Sequence, residues 1–183
     1  MSIPISLPGM HPAAAGFDEP FALLAGCHER VRRSLDLLQR LSEHVATQGA
    51  DAACGSAARD VLRYFDLAAP AHHEDEERHV LPLMQASGDA ELVRAAARLE
   101  RDHDAIRAAW QALRPLLLQV VDEARCADSA ALAAAAARFV KAHDGHLELE
   151  DGLVFPAAAR LHPDVAAMGR EMAARRGVTP RPG

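Results

Sequence analysis

Aromatic residues are scarce in this sequence: Phe, Trp and Tyr together make up 4% of its 183 residues. Alanine, by contrast, is very abundant. Because aromatic and β-branched residues favour strands and alanine favours helices, this composition predicts an all-α protein. No apolar run approaches the roughly 20 residues that a membrane-spanning helix needs, and the N-terminus lacks the charged start and apolar core of a signal peptide. We therefore expect neither membrane insertion nor secretion.

Cysteine is also rare. The sequence has three, an odd number, at Cys27, Cys54 and Cys126, and no two of them have CxxC spacing. Structural disulfides are therefore not expected, and a reducing cytoplasm fits this usage best. An excess of basic residues is lacking as well, since the net charge is −6. Proteins that bind nucleic acids or membrane surfaces normally carry a basic face, so neither is an expected partner.

The sequence does contain two similar stretches that are rich in histidine and acidic residues. Each has a His, a Glu four residues later and a Pro ten residues after the His. These residues are His72, Glu76 and Pro82 in the first stretch, and His146, Glu150 and Pro156 in the second. Because residues i and i+4 lie one turn apart on one face of a helix, each stretch can direct one imidazole and one carboxylate to the same place.

A further His precedes each stretch at nearly the same distance. His28 lies 44 residues before His72, and His103 lies 43 residues before His146. The chain therefore repeats with an offset of 74 to 75 residues. A repeat of this length predicts two similar helical hairpins that are related by approximate two-fold symmetry.

Apolar residues recur at spacings of three and four in four long segments, which is the pattern of amphipathic helices. The predicted helices are helix 1 from an Asp18 cap to Gly49, helix 2 over about residues 56–85, helix 3 from an Asp89 cap, and helix 4 from Asp128-Ser129 to Pro156 and His162-Pro163. Pro70 and Pro82 should bend or loosen helix 2, and Pro115 should kink helix 3.

Short connections between four long helices predict an up-down-up-down four-helix bundle. A short extra C-terminal helix is predicted at residues 164–176. We assign residues 18–177 to the bundle, residues 1–17 to an N-terminal arm and residues 178–183 to a frayed tail.

Six residues that can bind metal ions occupy the apolar stripes of these helices. They are His28, His72, Glu76, His103, His146 and Glu150. Burying a polar or charged side chain without a partner costs on the order of several kcal/mol. Six of them at one level of a bundle satisfy one another best by binding two metal ions, and imidazole with carboxylate suits iron, manganese or zinc. The alternative is that each His is a core residue bonded to a neighbour.

This pattern resembles the hemerythrin-like, or HHE cation-binding, domain of bacterial proteins. The resemblance rests on the six residues, on the Pro82 and Pro156 endings and on the tail at residues 168–177. It implies a four-helix bundle with two iron ions that Glu76 and Glu150 bridge, although manganese or zinc would suit the same side chains. It also implies a small diatomic ligand, O2 or NO.

The sequence departs from oxygen-carrying hemerythrins one turn after His103. Those proteins have a further His there, whereas this chain has Arg107. The departure predicts that one iron lacks a nitrogen ligand and has an open or water-filled position. The set is more similar to proteins that repair iron–sulfur centres, but residues 1–17 are too short to hold the cysteine-containing domain of many such proteins.

Ferritin-like di-iron proteins offer a rival interpretation, because they use Glu-x-x-His pairs. Two such pairs occur, Glu76 with His79 and Glu100 with His103. They fall on helices 2 and 3, which the repeat does not relate to each other. We prefer the first interpretation.

Several nearby residues have weaker claims on the site. We expect Asp151 to support the ligands or to substitute for Glu150. His73 could likewise support or replace a ligand, and His143 could contact one, but we prefer a solvated or boundary position for both. The acidic residues Glu74, Asp75 and Glu77 are expected on a solvated face rather than as ligands. The Tyr64 hydroxyl could face the site, but we expect an ordinary core aromatic. Cys27 points about 100° away from His28 around the helix, so we expect it not to be a ligand.

Three classes of function fit these residues. The first is a non-haem di-iron protein that binds or senses O2, NO or iron. The second is reduction of peroxide or NO, or repair of or iron donation to damaged iron–sulfur centres, so that enzymatic turnover stays open. The third is a metal-free helical scaffold for a partner helix.

Overall fold

The computed structural model describes residues 16–123 and 128–178, and the regular structure within them is entirely helical. The α-helices there are α1 (Pro20–Gln48), α2 (Ala52–Arg63), α3 (Ala69–Asp75), α4 (Leu81–Ala86), α5 (Ala90–Glu123), α6 (Ser129–Ala142), α7 (His146–Leu149), α8 (Phe155–Arg160) and α9 (Val165–Arg175). Three π-helical segments join some of them: Tyr64–Ala68, Glu76–Val80 and Glu150–Val154. The all-α prediction is confirmed.

Aspartate side chains cap several of these helices. Asp128 accepts a hydrogen bond from the Ala131 N–H at 2.8 Å, and Asp89 accepts one from the Glu91 N–H at 2.7 Å. Each bond satisfies a backbone donor that the first turn of a helix leaves without a partner. Both predicted caps are therefore correct.

The predicted start of two helices was wrong. Glu19, rather than Asp18, occupies the N-cap position of α1, and its side chain makes no capping bond. The second long helix begins at Ala52, four residues earlier than predicted, because Asp51 accepts a hydrogen bond from the Cys54 N–H at 2.9 Å. Sequence periodicity alone missed this cap.

Each π-helical segment begins six residues before a proline. The prolines are Pro70, Pro82 and Pro156. Proline has no N–H and its ring clashes with the carbonyl four residues earlier, which disfavours a regular α-turn. Instead, the residue before each proline donates its N–H five residues back, as Leu81 does to Glu76 and Phe155 does to Glu150. The predicted loosening at Pro70 and Pro82 takes this form.

The fourth predicted helix differs most from its prediction. It is interrupted at residues 143–145, where Gly145 adopts a left-handed conformation with φ of 69°. It also continues past Pro156 through α8 to Arg160. A proline in the first turn of a helical piece loses only a donor that has no partner there, so Pro156 does not end the helix. The chain leaves the helix before His162-Pro163.

The long helices pack in a ring. α1 packs against α2 and α6, and α5 packs against the same two helices. Each long helix thus has two long neighbours, which fits the predicted four-helix bundle. The up-down-up-down order of the helices stays a prediction.

A layer of polar residues separates two apolar clusters in the core. In α1, Leu24 belongs to one cluster and Val31 to the other, and His28 lies between them. The same order recurs in α5 at Leu99, His103 and Ile106. The polar layer is therefore enclosed by apolar packing on both sides.

The extra C-terminal helix is present as α9, which Asp164 caps at the Ala167 N–H. It packs against α1 and adds Met168 and Met172 to the apolar cluster that contains Leu24. Gly169 allows this approach, because a Cβ there would overlap the backbone oxygen of Phe17.

Most of the predicted N-terminal arm and nearly all of the predicted tail fall outside the described residues. The domain boundaries at residues 18 and 177 stay predictions. Among the helices of residues 16–123 and 128–178, none combines the length and the apolar character that a membrane crossing requires.

Candidate metal centre

The six residues predicted as metal ligands meet in the polar layer. Each has at most 2% of its surface exposed. Each comes from a different helical piece, and they are His28, His72, Glu76, His103, His146 and Glu150. We call these residues the six-residue cluster.

The potential ligand atoms of this region form two groups. In the first group, atoms of His28, His72, Glu76 and Glu150 all lie within 4.8 Å of one another. In the second group, atoms of His73, His103 and His146 meet the same criterion.

The two carboxylates lie between the groups. Glu76 places Oε1 3.2 Å from His72 Nε2 and Oε2 3.4 Å from His103 Nε2. Glu150 places Oε2 3.2 Å from His28 Nε2 and Oε1 3.2 Å from His146 Nε2. Each carboxylate therefore presents one oxygen to each group, which is the arrangement that a bridging ligand needs.

Most of these polar atoms have no hydrogen-bond partner among the described residues. The atoms include Nε2 of His28, His72, His103 and His146 and both carboxylate oxygens of Glu76 and Glu150. The Nε2 atoms approach the oxygens without the geometry of a hydrogen bond. Because buried polar atoms are normally paired, a set of converging nitrogens and carboxylate oxygens without partners fits cations.

Burial shapes the protonation of the cluster. It lowers the pKa of His72 to about 3, because the charged imidazolium is disfavoured away from water. It also raises the pKa of Glu76 well above its usual range, and the neighbouring Glu150 carboxylate adds to that shift. A positive charge between these two neighbouring carboxylates would reduce their mutual repulsion.

His103 supplies such charge when no cation is bound. Burial alone would lower its pKa, but the Glu150 and Glu76 carboxylates outweigh burial and raise it to about 10. The two carboxylates therefore favour a proton on His103 in the metal-free protein. A metal ion bound there would displace this proton, because a ligating imidazole is deprotonated.

Two histidines of the six-residue cluster each contact a further carboxylate through Nδ1, on the side of the ring opposite the cluster. His28 Nδ1 lies 2.8 Å from Asp151 Oδ1, and Arg32 donates to the other Asp151 oxygen at 3.0 Å. This hydrogen bond keeps the proton on Nδ1 and turns Nε2 toward the first group. Asp151 is thus placed to support a ligand, one of its two predicted roles.

The same arrangement occurs at the symmetry-related position. His103 Nδ1 lies 2.9 Å from Glu77 Oε1, and Arg107 donates to that oxygen at 2.6 Å. Glu77 is partly exposed and belongs to neither ligand group, as predicted, but its support of His103 was not predicted. In both halves an Arg follows the His by four residues, and the acid follows Glu76 or Glu150 directly, so a signal for this support was present in the sequence.

Residues 19–158 match the family model described as the hemerythrin HHE cation binding domain. The chain belongs to this hemerythrin family. All members of the six-residue cluster lie in the matched range, and helix α9 lies beyond it. The predicted family is therefore confirmed, and membership implies a metal-binding protein.

This hemerythrin-family chain also has a relative in Haemophilus influenzae. That protein, described as uncharacterized, is 31% identical over 166 residues, which cover 90% of this chain and 94% of the relative. The likeness therefore extends over nearly the whole of both chains, without adding a described activity.

His73 lies where the sequence analysis did not expect it. It is 8% exposed, belongs to the second group, and its ring is 4.2 Å from the His103 ring at an interplanar angle of 17°. The prediction of a boundary position was wrong. His72 and His73 are adjacent in a helix, so their side chains point about 100° apart and reach different groups.

The other candidates lie outside both groups. His143 is buried, contrary to expectation, and donates its Nδ1–H to the Phe139 carbonyl at 2.9 Å. Tyr64 is partly buried against the apolar core and donates its hydroxyl to the Cys27 carbonyl at 3.4 Å, and Cys27 belongs to neither ligand group.

The ferritin-like interpretation was wrong. Glu100 is exposed and accepts a hydrogen bond from Gln85, while His79 lies near Glu171 on α9. Neither Glu100 nor His79 is therefore available to the ligand groups of this hemerythrin-family site.

A partly open pocket of about 160 Å³ adjoins the second group. Its walls are mainly apolar and include Phe65, Ile106, Trp110 and Phe139. The exposed Arg107 and the buried His73 also line this pocket. His73 therefore belongs both to the pocket wall and to the second group.

Proposed function

We propose that this protein binds two iron ions in an up-down-up-down four-helix bundle and that the centre binds O2 or NO. His28 and His72 hold one ion, His103 and His146 hold the other, and Glu76 and Glu150 bridge them. The observation that carries the proposal is that each of the two buried carboxylates presents one oxygen to each group of imidazoles. The free Cys27 and Cys54 fit the reducing cytoplasm in which we place the protein.

The ligand chemistry supports iron more than a harder cation. Magnesium and calcium prefer all-oxygen sites, whereas mixed imidazole and carboxylate sets suit iron, manganese and zinc. Among the last three, the hemerythrin family and a pair of bridging carboxylates favour iron.

The surrounding residues prepare this site for a small uncharged ligand. Asp151 and Glu77 hold protons on Nδ1 of His28 and His103, so that Nε2 of each is free to bind. The two apolar clusters exclude bulk water, and the pocket beside His73 admits small apolar molecules. Bound iron would supply the electrons and the binding position for O2 or NO.

Deep burial argues against delivery of iron to another protein. All six ligands are at most 2% exposed, so release would require the helices to separate. Reduction of peroxide or NO is the alternative that burial does not disfavour, because it leaves the metals in place.

Reconstitution under anaerobic conditions tests the proposal. We expect purified protein to take up two Fe(II) per chain and its absorption spectrum to change on mixing with O2 or NO in a stopped-flow instrument. Iron should also stabilise the fold, by about 2.7 kcal/mol at a free concentration one hundred times the dissociation constant. The variants His28→Ala and His146→Ala should each lose iron, whereas His143→Ala, at a buried histidine outside both groups, should not.

The possible failures have different meanings. Less than one metal ion per chain, with no rise in melting temperature, would instead favour a metal-free scaffold. Two irons without a spectral change in either gas would leave the metal centre but remove the gas-binding role. Sustained consumption of peroxide or NO in the presence of a reductant would favour enzymatic reduction.

A further inference from the structure

His73 is a buried imidazole that the six-residue cluster does not use. Only 8% of the residue is exposed, and its side chain borders the mainly apolar pocket beside the second group. A neutral imidazole carries a nitrogen lone pair that can bind a metal ion, so the neighbours of His73 decide its role.

The position of His73 suggests which partner it has. Its ring centre is 4.2 Å from that of His103 and 5.9 Å from that of His146. One potential ligand atom from each of these three residues lies within 4.8 Å of the other two. The three come from α3, α5 and α7, so three separate helical pieces converge on one point.

We propose that His73 is the third imidazole ligand of the second metal ion, together with His103 and His146. The proposal rests on the proposed di-metal function and makes the two ions unequal. The second ion has three imidazoles, whereas the first has His28 and His72. The open position expected from Arg107 therefore moves from the second ion to the first. Arg107 instead holds Glu77 behind His103.

The pocket next to His73 provides a sharp test. The variant His73→Ala removes the side chain that separates the pocket from the second group, so a free imidazole molecule can enter from the pocket and replace it. We expect His73→Ala to bind its second Co(II) or Fe(II) at least tenfold more weakly than wild type, and millimolar imidazole to restore binding and the Co(II) absorption spectrum.

A matched control is His143→Ala, which removes a buried histidine outside both groups. Its metal content should match wild type, and imidazole should not change it. His73→Gln, measured alongside, keeps a polar side chain of similar size and preserves the fold if His73→Ala does not. Far-UV circular dichroism of each variant checks folding.

Retention of two ions with wild-type affinity and spectrum in His73→Ala and His73→Gln would overturn the proposal and leave the six-residue centre intact. Weakened binding that imidazole cannot restore, with a normal fold, would also overturn it, because it indicates that His73 only packs against His103. If wild-type protein binds fewer than two ions, the proposed function itself fails, and the role of His73 with it.

Discussion

Two carboxylates behind the ligands set the direction in which the histidines point. Glu77 accepts the Nδ1 proton of His103 and is held by Arg107. We expect Glu77→Gln to weaken metal binding by about 10-fold to 100-fold, because an amide accepts this proton less strongly and leaves the ring freer to rotate. Titration of the metal-free protein with Co(II), followed by absorption, measures the change.

The control for this prediction is Asp104→Asn. Asp104 also accepts a hydrogen bond from Arg107, at 2.7 Å, but it makes no contact with His103. Its amide variant should bind metal as wild type does. Equal affinities for all three proteins would show that Glu77 does not orient the ligand.

His143 links stability to pH. Burial lowers its pKa to about 4, and the bond to the Phe139 carbonyl only partly opposes this. Between pH 6.5 and 4, the unfolded chain therefore binds a proton at this residue that the folded protein does not, so stability falls as pH falls through this window. Above pH 6.5 the contribution to stability is fully present. A shift from 6.5 to about 4 corresponds to roughly 3 kcal/mol.

Replacing His143 by Gln removes the titrating group and retains a donor for the Phe139 carbonyl. Urea unfolding of the metal-free protein at several pH values should show that His143→Gln loses up to about 3 kcal/mol less than wild type between pH 6.5 and 4. Parallel curves for wild type and His143→Gln would contradict the prediction.

The six-residue cluster was predictable from sequence because its signal is local. A His and a Glu four residues apart lie on one helix face whatever surrounds them, and the repeat then pairs the two halves. His73 and Glu77 were misjudged because their roles depend on α5, which packs beside them. Spacing within one helix does not report how two helices align along their length.

Proline positions predicted where the helices deform, but not how. Pro70, Pro82 and Pro156 each follow a π-helical segment, whereas Pro115 lies in an uninterrupted α5. Two of these segments begin at Glu76 and Glu150, so the wide turn starts at the two carboxylates of the six-residue cluster. Because π-segments depend on packing around the helix, a proline alone does not specify one.

The break in the fourth predicted helix, just before His146, was not predicted, because a single glycine is also tolerated inside an uninterrupted helix. Gly145 has φ of 69°, and Arg98 donates to its carbonyl at 3.3 Å. We expect Gly145→Ala to destabilise the protein by about 1–2 kcal/mol, since a Cβ disfavours the left-handed conformation. The added Cβ would also lie 3.0 Å from the Arg98 side chain. Urea unfolding measures the cost.

Gly26 provides the matched comparison for Gly145. It lies within α1, and a Cβ there would have nothing within 4 Å. Gly26→Ala should therefore stabilise the protein by about 0.5–1 kcal/mol, because alanine loses less conformational freedom in a helix than glycine. The two glycine-to-alanine substitutions should therefore change the free energy of unfolding in opposite directions. Changes in the same direction would be evidence against the left-handed turn at Gly145.

At the scale of the whole molecule, composition was enough to predict helices, and the repeat was enough to predict that two halves share one site. Contacts between α9 and the helices that carry the six-residue cluster were not predictable, because they join residues about 100 positions apart with no periodic relation. Asp75 was predicted to lie on a solvated acidic face together with Glu74 and Glu77, yet it is fully buried.

Asp75 connects α9 to the helix that carries His72, and it directly precedes Glu76 in the chain. Its Oδ1 lies 2.7 Å from Arg175 Nη2, and its Oδ2 lies 2.6 Å from Arg176 Nη2. Removing one member of a buried ion pair leaves the other charge without compensation. We expect Asp75→Asn to lower the free energy of unfolding by about 3 kcal/mol, at the low end for such pairs because both arginines reach solvent.

The same variant separates support of the fold from binding of the metal. Asp75 belongs to neither ligand group, so folded Asp75→Asn should still take up two Fe(II) per chain, while limited proteolysis should cleave α9 faster than in wild type. Asp60→Asn, which removes an exposed pair with Arg63, should change stability by less than about 0.5 kcal/mol. If both variants lose the same stability, α9 is held by Met168 and Met172 in the apolar core, and the buried ion pair contributes little.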